Sequence, residues 1–283
     1  MINRRLFVQF IHPGGEHQPD GYDHKDWNTD RHQRKFLLSP GRYVGDESTR
    51  EGNIVFWGEW EPQSRVVKRY QSLMADGPRF LYEPYYQLPS SMDGFQNTDP
   101  FVFGDQFHFS ICQQNTKIGP TQLRYLDRGS IILFGSCIDK QRFVIDTVFV
   151  VDSWIDYLAA DYAPQIVATV STTYLEVTLK PGCNGDDSSG QRRRLYFGAT
   201  QQKLVDSMYS FFPCMPPEQA PNGFIRPKID MPNRITPHLT QGKKMTPISS
   251  GAQALALWKD VKTQVEKQGL ASGTYARLPE KRP

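Results

Sequence analysis

The longest apolar stretch of the chain, Phe143-Val-Ile-Asp-Thr-Val-Phe-Val-Val151, is broken by one charged residue, Asp146. A bilayer span needs roughly 18 or more consecutive apolar residues, so this segment excludes a membrane helix, and no membrane partner is expected. A near-continuous apolar run of this length belongs instead to a strand buried on both faces. Ser130 to Gly135 is a second such run, and the intervening Ser136-Cys-Ile-Asp-Lys-Gln suits a hairpin. Together they predict an antiparallel pair at the centre of the fold.

The remaining segments arrange themselves around that pair. Arg5-Leu-Phe-Val-Gln-Phe-Ile11 reads as a strand stopped by His12-Pro-Gly-Gly. Residues 12–53 are polar and read as one long loop, a kind of segment that is more often functional than incidental. Asn53 to Glu61 is apolar again and, if the strand continues, puts Glu59 and Glu61 on one face. Arg79 to Tyr82 is a short strand candidate before a Pro-rich aromatic loop carrying Tyr85 and Tyr86. Phe107 to Cys112 joins the apolar centre. The β-branched alternation of Thr169 to Leu179 predicts another strand, followed by an exposed loop over 182–190 and a strand over Arg194 to Gly198. Ser249 or Ser250 can cap a helix over 252–268, with Leu255, Trp258, Val261 and Val265 as its apolar stripe and Gly269 as its stop. Residues 271–283 read as a flexible tail. Without a βαβ rhythm, the expected class is α+β, mainly antiparallel sheet with long functional loops and a C-terminal helix, in a single domain over 1–270.

Composition narrows the function classes only modestly. With 17 Phe, 13 Tyr and 5 Trp in 283 residues, the chain has too many rings to remain disordered. A formal charge of +3 neither demands nor forbids an anionic partner, so any nucleic-acid contact must come from local clustering. Cys112, Cys137, Cys183 and Cys214 form no Cys-x-x-Cys pair and read as free thiols. The N-terminus lacks an apolar signal core, and a cytoplasmic location is expected.

Four constellations could carry chemistry. In Phe56-Trp57-Gly-Glu59-Trp60-Glu61, carboxylates lie among large rings, which raises their pKa and suits acid/base work, while Trp57 and Trp60 could stack on a planar ligand; an edge strand with core tryptophans explains the same residues. In Gln96-Asn97-Thr98-Asp99-Pro100-Phe101, proline fixes the backbone of Asp99, and Asn97 and Thr98 can orient its carboxylate; an Asx-turn packing Phe101 inward is the plain alternative. An oriented carboxylate beside rings is what N-glycosidic hydrolysis needs, to direct water and oppose positive charge on the sugar. The third constellation is His12, Glu16, His17, Asp20, Asp23, His24, Asp30 and His32, holding four of the six histidines. Its spacings match no metal signature, a solvated loop is favoured, and no metal or other cofactor is expected. The fourth, Arg192, Arg193 and Arg194 before Leu-Tyr-Phe-Gly, could hold phosphate beside rings, or could be a charged hairpin tip balanced by Asp186 and Asp187. Nucleotide-loop, dinucleotide, nucleophile-elbow and zincin motifs are absent.

Asn97-Thr-Asp-Pro-Phe101 resembles the Gly-Gln-Asp-Pro-Tyr motif of uracil-DNA glycosylases over five residues. More widely, Phe56 to Pro62, Asn97 to Asp105 and Gly129 to Ser136 are similar to a bacterial nucleotide-modification and phage-defence group that includes DNA glycosylases removing glucosylated hydroxymethylcytosine. The resemblance implies a hydrolase that flips a modified base out of DNA and leaves an abasic site. On that reading Asp99, Asn97, Glu59 and Glu61 are the catalytic candidates, Trp57, Trp60, Tyr85, Tyr86 and Phe101 the base-stacking rings, and Arg192, Arg193 and Arg194 the phosphate contacts. A non-catalytic reader of modified bases and a metal-dependent nuclease are the alternatives.

Overall fold

The computed structural model describes all residues except 1, 13, 30, 47, 72–74, 185–189, 240 and 241. Asp30, Asp186 and Asp187 therefore lie outside the described residues.

The central hairpin forms as the apolar pattern dictates. Ile131–Ile138 pairs antiparallel with Arg142–Leu158, both longer than the apolar runs alone suggested. The connection is correspondingly tighter than the six residues expected: only Asp139, Lys140 and Gln141 join the strands, Asp139 and Lys140 adopt positive φ of 52° and 55°, and the Gln141 N–H donates to the Ile138 carbonyl at 3.0 Å. These strands sit inside a six-stranded sheet ordered Gly242–Pro247, Leu6–Ile11, Ile131–Ile138, Arg142–Leu158, Arg192–Gly198 and His108–Phe109. Leu6–Ile11 runs parallel to Ile131–Ile138, and the other four neighbouring pairs are antiparallel.

A second, eight-stranded sheet is built on Lys35–Gly45 and Ser48–Gly58, which pair along their whole length. The long-loop expectation for 12–53 is thus corrected: only the segment before Lys35 is mostly irregular. Pro40 and Gly41 obscured the strand, yet its ladders to three other strands outweigh their poor local propensity. The expected tail over 271–283 is corrected as well. Ala271–Ala276 is a strand that pairs with both Phe212–Met215 and Lys35–Gly45, and Glu280–Lys281 adds a further short strand beside Phe80–Tyr86. The fold is α+β with mainly antiparallel, partly parallel sheets.

Thr169 to Leu179 is helical rather than a strand. Ser171 accepts from the Tyr174 backbone N–H and starts Thr172–Tyr174, which continues as a π-turn over Leu175–Leu179. The C-terminal helix spans Gly251–Glu266, capped by Ser250, and buries Ala254, Trp258, Val261 and Val265, with Leu255 half-buried. Its Trp258 Nε1–H donates to the Tyr209 carbonyl at 2.9 Å, which fixes the helix on the sheet face. No described helix is long and apolar enough to cross a membrane. The four cysteines are free.

His108 is buried among Phe101, Tyr174 and Phe197, its Nδ1 has no partner, and burial lowers its pKa to about 3. Between pH 6.5 and 3 the unfolded chain therefore binds a proton that the folded chain refuses, so this residue makes stability drop as the pH drops through that window. His108→Phe is expected to flatten the acid limb of a urea-denaturation pH series by up to about 1.4 kcal/mol per pH unit. An unchanged limb contradicts the assignment.

Candidate active site

Where the two sheets meet, the chain buries an unusual number of charges. The hairpin produces one of them directly: Phe134 pairs with Thr147 and Gly135 with Ile145, so Asp146 is the extra residue of a bulge. A bulge re-aims its side chain, and here it points the Asp146 carboxylate into the interior. Only glycine fits opposite, since a Cβ on Gly135 would stand 2.1 Å from the Val144 carbonyl oxygen. Asp146 Oδ2 accepts from Arg34 Nε at 2.6 Å, and its Oδ1 lies 3.5 Å from Arg226 Nη1. Arg226 also donates to Ser136 Oγ and the Gly14 carbonyl, both at 2.9 Å.

Arg34 carries the network onward. Its Nη1 donates at 3.0 Å to Glu59 Oε2, which also receives His12 Nδ1 at 2.6 Å. Glu59 immediately follows the strand Ser48–Gly58, and His12 follows Leu6–Ile11, so one residue from each sheet meets at the carboxylate. Glu61 lies two residues further on, and its Oε2 accepts from Asn28 at 2.8 Å. The two carboxylates converge on a single imidazole: His32 Nδ1 is 3.2 Å from Glu59 Oε1 and 2.9 Å from Glu61 Oε1. The strand ends at Gly58, yet the expected common side for Glu59 and Glu61 holds through His32.

The second predicted constellation joins the same cluster. The Asp99 backbone N–H donates to Glu59 Oε1 at 3.3 Å, and the Glu61 N–H to Thr98 Oγ1 at 3.0 Å. Asp99 itself faces the other way. Its carboxylate accepts the backbone N–H groups of Ser110, Ile111 and Cys112 at 2.9, 2.7 and 2.6 Å, which holds that loop in place. The Cys112 thiol approaches Asn97 Oδ1 at 3.9 Å. His32, Glu59 and Cys112 offer ligand atoms within 4.8 Å of one another and are the group that could hold a metal.

Electrostatics divides the carboxylates. Burial alone would raise Glu59, but His12, His32 and Arg34 hold it well below the usual carboxylate range. Glu61 is raised, chiefly by burial, and Asp99 is pushed up to about 6 by burial against the pull of its three backbone donors. Burial would lower His32, but Glu59 and Glu61 outweigh it and lift the imidazole to about 10. His12 is lowered by burial, and Lys35, whose ammonium donates to the Pro62 carbonyl at 2.6 Å, falls to about 7 for the same reason. The side chain of His32 is 23% exposed, against 2% and 0% for Glu59 and Glu61, so its ring is the solvent-facing edge of the cluster.

The expected base-stacking rings are placed otherwise. Trp57, Trp60, Tyr86 and Phe101 are core residues: Trp57 Nε1 donates to the Phe224 carbonyl, Trp60 Nε1 to the Gln63 carbonyl and Tyr86 Oη to Glu176. Tyr85 is half-buried beneath the Arg282 guanidinium, 4.0 Å from its ring centroid. Rings of this size contribute more as interior packing than at a surface. Nor do the arginines form a free triplet. Arg193 donates to the Gly182 carbonyl, and Arg194 pairs with Asp156 and stacks on Trp154, leaving Arg192 as the exposed member.

The His-rich segment splits in the same way. His12, His17 and His32 enter the cluster, Glu16 caps the backbone N–H groups of Arg79 and Phe80, and His24 lies at the surface near Asp26. Asp20 pairs with Lys25, and Asp23 with Arg69. Arg34, Lys35, Asn28 and Asp146 were not anticipated as members of a site. Three carried a signal: Asp146 as the one charge in an apolar run, and Arg34 and Lys35 as charges abutting Phe36-Leu-Leu38. In comparisons with family models, curated proteins and solved structures, the chain matches none.

Proposed function

We propose that this chain is a hydrolase acting at the Glu59, Glu61 and His32 cluster, and that it cleaves the N-glycosidic bond of a modified base in DNA. The observation that carries the site is the convergence of two buried carboxylates on one imidazole at the solvent-facing edge of the described cluster. The likeness of Phe56–Pro62, Asn97–Asp105 and Gly129–Ser136 to modified-base DNA glycosylases supports the substrate.

The chemistry follows from what this bond needs as it breaks. Positive charge develops on the sugar, and a fixed carboxylate such as Glu59 opposes it in a poorly solvated setting. The departing base needs a proton, and His32 stands at the edge where a substrate would arrive. Because the large rings are committed to the core, the extruded base on this reading is held by polar groups of the cluster's edge such as Asn97, half-buried beside Cys112. Phosphate contact falls to exposed cations such as Arg31 and Arg192. A cytoplasmic setting suits four free thiols.

Duplexes carrying cytosine, hydroxymethylcytosine or glucosylated hydroxymethylcytosine test the proposal. Alkali-labile sites confined to modified duplexes are expected. Strand breaks before alkali would instead identify a nuclease, and binding without product would identify a reader; either overturns it.

A further inference from the structure

We propose that His32, Glu59 and Cys112 form a site for one zinc-class divalent cation, with Glu61 beside it on His32. His32, Glu59 and Cys112 present ligand atoms mutually within 4.8 Å, and Glu61 Oε1 lies 2.9 Å from the His32 Nδ1 that also faces Glu59. One nitrogen, one carboxylate oxygen and one thiolate suit a borderline-soft ion of tetrahedral preference whose fourth position is open. A hard cation such as magnesium would not favour the sulfur donor.

The surroundings are those of a ligand shell held in place from outside. In each carboxylate, the oxygen facing away from His32 is the one most firmly bound. Glu59 Oε2 takes His12 and Arg34, and Glu61 Oε2 takes Asn28, which leaves Glu59 Oε1 for the proposed ion and Glu61 Oε1 to hold His32. Asp99 fixes the backbone N–H of Cys112 and so the position of its thiol. Such outer hydrogen bonds orient metal ligands and tune their basicity.

His17 lies behind the site: it is fully buried, and its Nε2 is 3.9 Å from Glu61 Oε2, the oxygen turned away from the proposed ion. The sequence pattern gave no reason to expect this ligand set, because the ligands come from three separate segments and only His32 lies in the His-rich one.

Binding replaces the proton of His32 Nδ1 and that of the Cys112 thiol, so it releases protons and weakens in acid. The cation would then stand at the exposed edge of the same cluster as the proposed hydrolysis, where a bound water could complete its coordination and, in the metal-loaded chain, take over from His32 as the proton source. The inference rests on the ligand geometry, and its test reads the ion without substrate. A metal-loaded chain that cleaves nothing would count against the hydrolysis alone.

The test is titration of the full chain, stripped of metal, with cobalt(II) as the probe, followed by zinc competition and elemental analysis. One cobalt per chain is expected, with the near-ultraviolet thiolate-to-cobalt band and the visible bands of tetrahedral cobalt, displaced by stoichiometric zinc. Cys112→Ser should abolish the thiolate band, whereas Cys137→Ser should keep it. Asn28→Ala, which loosens the Glu61 carboxylate that holds His32, should weaken binding about 10–100-fold. Near-ultraviolet circular dichroism of each variant establishes that it is folded. Absence of stoichiometric cobalt in the unaltered chain, or a thiolate band that survives in folded Cys112→Ser, overturns the site.

Discussion

Arg34→Met is expected to destabilise the protein by about 3–5 kcal/mol, a large part of the roughly 5–15 kcal/mol typical of a folded domain. Arg34 is fully buried and bonds Asp146 from one side of its guanidinium and Glu59 from the other. Methionine fills similar space but takes the close countercharge from Asp146 and leaves Glu59 to His12 and His32 alone, in a medium that solvates neither carboxylate. The residual pairing of Asp146 with Arg226, at 3.5 Å, is too long to replace a 2.6 Å bond. Arg34→Lys should recover only part of the loss, since a single ammonium cannot bridge two carboxylates as a planar fork does. Urea denaturation followed by tryptophan fluorescence measures the difference, and a loss under about 1 kcal/mol in Arg34→Met would show that the network is not held by this residue.

Glu59→Gln is the second large effect, and it falls on rate rather than on fold. Glutamine keeps the shape and can still accept from Arg34, while Arg34 retains Asp146, so the sheets should assemble unchanged. What disappears is the negative charge opposite the breaking bond, and loss of such a group typically costs about 10²–10⁴-fold in rate. Single-turnover cleavage of a modified duplex measures it. Arg192→Gln, at the exposed end of its strand, should alter the rate far less and mainly through binding. Equal rates for Glu59→Gln and the unaltered chain would remove Glu59 from the chemistry.

The parts of the fold legible in the sequence were those where local pattern and tertiary demand agree. The apolar hairpin and the Ser250-capped helix are cases of that kind. Where they disagree, the pattern misled. Lys35–Gly45 contains Pro40 and Gly41 and reads as loop, but three partner strands hold it extended. Thr169 to Leu179 is β-branched and reads as strand, but a serine cap and burial of Tyr174, Val177 and Leu179 make it helical. Ala271–Ala276 has too little apolar character to announce itself as a strand that two others enclose.

The candidate site was legible by residue and not by assembly. Glu59, Glu61, Asn97, Asp99 and the histidines stood out because carboxylates and imidazoles beside rings are chemically conspicuous. That three segments would meet was not visible, since it depends on the bulge at Asp146 and on the ends of Leu6–Ile11 and Ser48–Gly58 coming together. The rings misled for a related reason. Trp57, Trp60 and Phe101 adjoin the carboxylates in sequence, but rings and carboxylates alike are buried there, and the rings pack as core.

The most direct measurement is the release of free base from a duplex containing one glucosylated hydroxymethylcytosine, quantified by mass spectrometry alongside the abasic strand. The account predicts one free base for each abasic site, an intact backbone until alkali is added, and no release from the cytosine duplex. Backbone cleavage with the modified base still attached to its sugar, or no release at all under single-turnover conditions, would contradict it.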